Sequence, residues 1–298
     1  MRPPAAADAE AIAKLLIADD IEGIGEPDYT LADLKDEWAA EEFELESDAI
    51  VVEDGGRIAG YAAFRGHEVV LAVDPARLGE GFGTALRQWA ETRAREKGHA
   101  TLRQYAGDRN AAARAHLTEA GYERERSYWR MELELEGSET PPEPPKGFSV
   151  RPLDLAVDLH DLYVVNEAAF AANADYEPET EAQFRDEHAR GHNLRTELSL
   201  VAQAHGESGL AGFALVRDHG HGVAYVDLLA VHPDSAGRGL GSALLRTAFA
   251  GAADAGYRAG RLGVASDNAN AIRLYARVGM TQRWRVDSYS KSLSGPLG

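Results

Sequence analysis

The sequence contains no cysteine among its 298 residues. This absence excludes disulfide bonds, thiolate metal ligands and a cysteine nucleophile. Long apolar runs are missing as well, because Asp8, Glu10 and Lys14 interrupt the first twenty residues and no later stretch has the length that a membrane span requires. We therefore expect neither a signal peptide nor a membrane partner, and we expect a cytoplasmic location.

Positive charge is scarce, since 31 basic residues face 49 acidic ones and leave a net charge of −18. Such a chain repels phosphate backbones and anionic lipids, so nucleic acid and membrane surfaces are not expected partners. The excess is uneven, with a net charge of −13 over residues 1–136 and of −4 over residues 147–298. A polyanionic ligand would therefore meet less repulsion in the second half.

A proline-rich segment divides the sequence near its middle. Residues 137–146 read GSETPPEPPK and contain four prolines without a large apolar side chain, which is typical of a semi-stiff linker. We therefore predict a domain over residues 1–136, a linker over 137–146 and a second domain over 147–298.

The two halves repeat one pattern. Both begin with Arg-Pro, at Arg2 and Arg151, and LAVDPARLGEGFGTAL from Leu71 matches LAVHPDSAGRGLGSAL from Leu229 at an offset of 158. Further pairs keep the same offset, namely Gly98 and Gly256, Asn110 and Asn268, and Gly121 and Gly279. An offset held over this length indicates duplicated domains.

Periodicity predicts the same elements in each half. The first two helices are expected at Asp8–Ala18 and Leu31–Glu42, and again at Leu155–Ala171 and Glu179–Arg190. A strand hairpin follows, then a buried strand that ends at Val73 or Val231 just before a proline, a glycine-rich turn, a helix, a strand, a last helix and closing strands. This alternation predicts an α/β fold for both halves.

The glycine-rich turn of the second half is a candidate pyrophosphate site. It reads Gly237-Arg238-Gly239-Leu240-Gly241-Ser242. Alternate glycines let the backbone approach a ligand closely, and the helix N-terminus behind them adds partial positive charge. The spacing matches neither the Walker motif nor the dinucleotide fingerprint. For a single copy in isolation an ordinary strand–helix turn would be the preferred interpretation, but its place between Leu-Ala-Val-x-Pro and an Asn-x-x-Ala helix, in both halves, favours a ligand site.

With these motifs, both halves resemble the GNAT N-acetyltransferase superfamily, most strongly over residues 69–122 and 226–281. The resemblance implies two tandem acyl-CoA acyltransferase domains, each a mixed, mostly antiparallel sheet flanked by helices. It implies acetyl-CoA as co-substrate without a metal, and attack of a primary amine of a small molecule or peptide on the thioester. The implied CoA-binding residues are Leu229, Ala230 and Val231 for the pantetheine arm, the segment Gly237, Arg238, Gly239, Leu240, Gly241 and Ser242 for the pyrophosphate, and Asn268.

One position departs from the family pattern. The family's motif begins with Gln or Arg where this chain has Ala236, so backbone donors would have to bind the pyrophosphate. The resemblance places an oxyanion-binding N–H near Val231 and the acid for the departing thiolate at Tyr275, seven residues after Asn268. The alternative for Tyr275 is helix packing, because it shares an apolar face with Ile272.

Asp227 is the candidate general base. It lies on an otherwise apolar strand, where a buried carboxylate is costly unless it is used or paired. An outward orientation is the alternative, and a water chain could replace it as base. His188 and His192 have helical spacing, but the sequence shows no third ligand, so we expect surface histidines and no metal site.

The two halves are unequal. Leu117 occupies the position of Tyr275, and Glu80, which would repel a pyrophosphate, occupies that of Arg238. We therefore predict a degenerate first domain and assign acetyl transfer to the second. Two alternatives stay open. The layout is similar to that of mycothiol synthase, and a non-catalytic acyl-CoA sensor or scaffold would also fit the missing Gln or Arg. The sequence leaves a homodimer open.

Overall fold

The computed structural model describes residues 1–40, 43–172, 176 and 178–293. The chain folds into two compact units, the first formed by Met1–Trp129 and Trp284–Gly298 and the second by Arg130–Arg283. The domain boundary predicted at residues 137–146 stays a prediction. The two units defined by contacts meet elsewhere, between residues 129 and 130 and between residues 283 and 284. Within the described residues, no helix combines the length and apolar character that crossing a membrane requires.

The described residues form eleven strands and nine α-helices. Up to the middle of the chain these are α1 (Ala9–Ile24), α2 (Leu31–Trp38), α3 (Leu45–Asp48), β1 (Ala49–Asp54), β2 (Arg57–Arg65), β3 (Glu68–Val73), α4 (Phe82–Glu96), β4 (Thr101–Gly107), α5 (Ala111–Glu119) and β5 (Glu123–Glu134). The later elements are β6 (Phe148–Pro152), α6 (Leu155–Phe170), α7 (Glu181–His188), β7 (Leu200–Ala204), β8 (Gly212–Asp218), β9 (Val223–Val231), α8 (Leu240–Asp254), β10 (Ala259–Ala265), α9 (Ala269–Val278) and β11 (Thr281–Ser292).

The α/β class and the order of elements predicted from the sequence are confirmed, and helix ends differ. Helix α1 runs past the predicted end at Ala18 to Ile24, because Gly25 supplies the left-handed backbone (φ 92°) that terminates it. Helix α2 ends at Trp38, and the last two residues of the predicted helix, 41 and 42, lie outside the described residues.

The repeated Arg-Pro opening fixes the start of the first long helix in each unit. Both guanidinium nitrogens of Arg151 bond the Asp158 carboxylate, at 2.8 and 2.6 Å, and Arg2 holds Asp8 in the same way at 2.6 and 3.0 Å. Asp158 is buried, and the hydrogen bonds from Arg151 lower the pKa of its carboxyl. The motif therefore has a structural role in both units.

The sheet of the first unit has the order β1-β2-β3-β4-β11, antiparallel apart from the parallel β3–β4 pair. Strand β11 comes from the end of the chain and pairs with β4 from Val286–Gly107 to Ser292–Thr101. Its Tyr289 and the following Leu293 are buried in the same core cluster as Leu102. The last strand therefore completes the core of the first unit.

The sheet of the second unit has the order β10-β9-β8-β7-β6, antiparallel apart from the parallel β9–β10 pair. One face packs on α6 and α7 through Leu162, Phe184 and Phe213, which are fully buried. Helix α8 packs on β8 and β9 and also contacts α9. These contacts place the end of β9, the start of α8 and helix α9 side by side.

Candidate active site

Strand β9 parts from its parallel neighbour after its third residue. Pairing with β10 covers Val223, Ala224 and Tyr225 and stops there. On the other side, the register with β8 shifts between Leu215 and Val216, which leaves Asp227 as the extra residue of a β-bulge. Over its last residues β9 thus presents an open edge where β10 has diverged, and an extended ligand can bond to such a backbone.

The predicted pantetheine contacts lie on this open stretch. Leu229 and Val231 are half-buried, and Ala230 between them is buried in the core beneath. The alternation follows from the strand period, which turns successive side chains to opposite faces. The splayed strand that the family resemblance implies is therefore present in the geometry, and the contact with a pantetheine arm stays a prediction.

The glycine segment forms an exposed turn at the N-terminus of α8. Gly237 (φ 74°) and Gly239 (φ 83°) have left-handed backbones, and a Cβ atom at either would meet no atom within 4 Å. Gly239 is the N-cap of α8. Because glycine has no side chain that could accept hydrogen bonds from the first N–H groups of the helix, these groups can bind an anion. A Cβ atom on Gly241 would lie 3.1 Å from Leu274 Cδ1, so this glycine lets α8 pack closely against α9. Buried Leu240 anchors the turn in the core.

Arg238 supplies the one cationic side chain of the six-residue segment. Its guanidinium carbon lies 4.2 Å from the centre of the Phe148 ring, a cation–π contact that keeps the charge beside the loop. Ser242 follows in the first turn of α8 and is half-buried. Because Ala236 is exposed and has no polar group, an anion here would depend on backbone N–H groups, Arg238 and Ser242.

Tyr275 projects from α9 and is buried. Burial, with a contribution from the neighbouring Tyr225, raises the pKa of the Tyr275 phenol to about 12. Tyr225 is the last β9 residue that pairs with β10, so Tyr275 lies near the point where the two strands part. A phenol that stays protonated at neutral pH suits a proton donor, and its role in catalysis stays a prediction.

Asn268 has a local structural role. Its side-chain oxygen accepts a hydrogen bond from the N–H of Ala271 at 3.1 Å and so caps α9. Asn110 caps α5 in the same way through the N–H of Ala113, at 2.9 Å. Capping explains why both repeats keep the asparagine, and a contact between Asn268 and CoA stays a prediction.

Asp227 is held in an ion pair that the sequence did not indicate. Its Oδ2 lies 2.8 Å from Nε of Arg217 and 3.8 Å from Nδ1 of His188. Burial alone would raise the pKa of Asp227, but the neighbouring His188 and the charge of Arg217 outweigh it and lower the pKa to about 2. A carboxylate this acidic is a weak base, so the geometry favours a paired carboxylate over the general base.

His188 is a partly buried member of this network, with 17% of its side chain exposed. Its Nε2 lies 3.6 Å from Oε1 of Glu179. Among the described residues, Glu179, Glu187 and His188 form a group whose potential ligand atoms lie within 4.8 Å of one another. This group contains His188 but not His192, so it does not complete the His188–His192 pair of the sequence pattern, and His188 also faces Asp227. The absence of a metal stays a prediction.

The first unit keeps the loop and lacks these polar groups. Gly79 (φ 83°) and Gly81 (φ 90°) have the same left-handed backbones, but Glu80 between them is bound at 2.8 Å by Nε of Arg77. Leu117, at the position of Tyr275, is buried in the core. Strand β3 pairs with β2 in an unbroken register, so no bulge forms there.

The comparisons with known proteins agree with this geometry. The family model described as "Acetyltransferase (GNAT) family" matches residues 10–122 and 159–280. The chain is 30% identical over 217 residues to a mycothiol acetyltransferase of Actinosynnema mirum, covering 73% of this chain and 72% of that protein. It is 33% identical over 235 residues to the mycothiol acetyltransferase of Clavibacter michiganensis, covering 75% and 73%.

Solved structures show the same fold. A GCN5-related N-acetyltransferase from Sphaerobacter thermophilus is similar with a TM-score of 0.82 and 26% identity over 99% of this chain and 96% of that one. A tandem GNAT protein from the clavulanic acid biosynthesis pathway matches in fold, with a TM-score of 0.75 and 20% identity over 100% and 98%. With the family model matching both repeats, the chain belongs to the GNAT acetyltransferase family.

Proposed function

We propose that the second unit transfers an acetyl group from acetyl-CoA to a primary amine of a small molecule or peptide, by direct attack in a ternary complex. One observation carries the proposal. The open edge of β9 leads into the left-handed glycine turn at the N-terminus of α8, and Tyr275 lies near the point where β9 leaves β10. An extended arm on the strand would thereby bring its pyrophosphate to the turn and its thioester towards Tyr275.

The reaction needs a neutral amine, a donor for the oxyanion and an acid for the thiolate. The amine nitrogen attacks the thioester carbon, and a backbone N–H near Val231 stabilises the oxygen anion. Collapse breaks the carbon–sulfur bond, the attacking nitrogen releases one proton to water to become the amide, and Tyr275 donates a hydrogen bond to the departing sulfur. A typical thiol has a pKa of about 8.5, below that of this phenol, so Tyr275 acts mainly by a hydrogen bond that strengthens as charge develops on sulfur.

A second candidate is an acceptor related to mycothiol. The relatives from Actinosynnema mirum and Clavibacter michiganensis are named mycothiol acetyltransferases, and the match covers more than two thirds of each. Their names favour this acceptor class, and a screen can compare it directly with other amines. The cytoplasmic location expected from the sequence stays a prediction, as does the oligomeric state.

The test is an acceptor screen with acetyl-CoA that measures release of CoA, with polyamines, amino sugars, peptide N-termini and amines related to mycothiol as acceptors. We expect release that depends on one acceptor class. Tyr275→Phe should lower kcat by about 10²–10³-fold, the usual cost of removing one hydrogen-bond donor to a developing anion, with nearly unchanged affinity for acetyl-CoA. Binding of acetyl-CoA without release of CoA on any acceptor would support the sensor or scaffold. A loss of kcat below twofold in Tyr275→Phe would indicate that Tyr275 serves only to pack α9.

A further inference from the structure

The side chain of His188 lies between two carboxylates at the end of α7. Nδ1 lies 3.8 Å from Asp227 on β9, and Nε2 lies 3.6 Å from Glu179, which precedes α7. Both distances exceed a direct hydrogen bond, but both carboxylates lie close enough to attract a protonated imidazole. His188 and Asp227 remain partly exposed, with 17% and 28% of their side chains accessible, so a proton can reach the imidazole.

Arg217 fixes this group from β8. Besides the ion pair with Asp227, its guanidinium donates to the main-chain oxygens of Glu187 and His188, each at 3.0 Å. The same side chain donates to Oδ1 of Asn193 at 2.9 Å and is buried. Arg217 thus ties the C-terminal end of α7 to the β9 bulge, and the imidazole cannot drift far from Asp227.

An incoming ammonium must lose a proton before it can attack, and Asp227 is a poor acceptor while Arg217 binds it. We propose that His188 is the proton acceptor for the substrate amine, and that Asp227 and Glu179 are its positioning residues. The inference rests on the proposed function. Nδ1–H points to Asp227, the amine proton moves to the Nε2 lone pair directly or through one water, and Glu179 then faces the imidazolium. After release of the product, the exposed edge of the ring returns the proton to solvent.

The first repeat offers an internal comparison. Helix α2 and helix α7 each have eight residues after a capping threonine, and their last residues are Trp38 and His188. Val69 lies at the position of Asp227, at the offset of 158. The copy that lacks the acid at Tyr275 therefore also lacks both members of the His188–Asp227 pair. Joint loss is expected if the three residues serve one reaction.

The charges around His188 determine how the rate should vary with pH. Burial lowers the pKa of His188, but Asp227, Glu187 and Glu179 together outweigh it, so the pKa is raised above the ordinary value near 6.5. Only the neutral imidazole can accept the amine proton. The rate should therefore rise with pH through this raised pKa and level off above it.

The experiment compares the pH profile of kcat/KM for the full chain and for His188→Gln, with acetyl-CoA and the best amine of the screen. We expect His188→Gln to lower kcat/KM by about 10²–10⁴-fold and to remove the rise of kcat/KM with pH, which we call the low-pH limb. The Kd for acetyl-CoA should be unchanged. His192→Gln, at an exposed histidine four residues after His188, is the control and should retain the dependence of kcat/KM on pH. An unchanged profile in His188→Gln would overturn the role of His188 while leaving the proposed function intact.

A second measurement does not depend on turnover. The imidazole C–H signal that disappears in His188→Gln is titrated by NMR in the wild type and in Asp227→Asn. Loss of the carboxylate charge should lower the pKa of His188 and move the kinetic limb to lower pH by the same amount. A limb that stays in place while the NMR pKa moves contradicts the proposal. So does activity that is lost on chelation and restored by zinc, because a metal would occupy the Nε2 lone pair. Absence of thiol release by the wild type would refute the proposed function, and this inference with it.

Discussion

Gly239 and Gly81 form a matched pair for testing where acetyl-CoA binds. Each is the N-cap of the helix after the loop, each has a left-handed backbone (φ 83° and 90°), and a Cβ atom at either would meet no atom within 4 Å. A glutamate at either position therefore costs the same backbone strain, about 1–2 kcal/mol. The glutamate adds electrostatic repulsion to this strain only where it faces the pyrophosphate of acetyl-CoA.

The size of that repulsion follows from Coulomb's law. At a separation of about 4 Å, one charge pair is worth about 1 kcal/mol in water and about 4 kcal/mol near a protein surface. Gly239→Glu should therefore weaken acetyl-CoA binding by about 5- to 1000-fold. Gly81→Glu adds a charge beside Glu80, which Arg77 already binds, and should change the affinity by less than about twofold.

Calorimetric titration of acetyl-CoA into each variant measures this difference. Gly239→Ala is the control for strain alone, since it has the same backbone penalty without the charge. We expect the alanine variant to bind acetyl-CoA with an affinity close to that of the wild type. Equal weakening by Gly239→Glu and Gly81→Glu would refute the assignment of the competent site to the second unit, and no weakening by Gly239→Glu would refute the pyrophosphate turn itself.

Two further predictions concern the stability of the units. Tyr289→Ala should lower the free energy of unfolding of the first unit by about 3–5 kcal/mol in urea, because this side chain of β11 is buried in that unit's core. The control is Ser292→Ala at an exposed residue of the same strand, and an equally small effect of both changes would contradict the placement of β11. Arg151→Ala should lower the free energy of unfolding by about 1–3 kcal/mol at pH 7, because it removes the ion-pair partner of buried Asp158. Since Arg151 lowers the pKa of Asp158, this loss of stability should shrink as the pH falls through that pKa. An equal loss at pH 3 and pH 7 would contradict the ion pair.

Local sequence signals predicted much of the fold. The prolines at 75 and 233 end β3 and β9 where expected, and the glycine segments open α4 and α8. These features depend on a few adjacent residues, since a proline removes an N–H and a glycine supplies a left-handed backbone wherever they occur. The predicted helix ends were less accurate, because the end of α1 depends on Gly25 and not on the composition before it.

The polar network of the site could not be predicted in this way. His188 and Asp227 lie 39 positions apart, and their proximity depends on Arg217 and on a bulge that shifts the β8–β9 register by one residue. No periodic pattern records such a shift. The sequence singled out Asp227 because a carboxylate in an apolar strand is unusual, and the same reasoning applied to Arg217, a cation in the run GFALVRD, would have suggested its partner.

The differences between the repeats separate what the fold requires from what the chemistry requires. Tyr275, Asp227 and His188 correspond to Leu117, Val69 and Trp38, none of which can exchange a proton near neutral pH.

Polar groups in a core cost free energy unless they are paired or used, so a repeat released from catalysis is expected to replace them with apolar side chains. The loop glycines have remained in the first unit because any other residue would be strained at φ near 85°. Retained glycines therefore report only the backbone of the turn, whereas the three polar residues, present together in one unit and replaced together in the other, support the proposal that acetyl transfer belongs to the second unit.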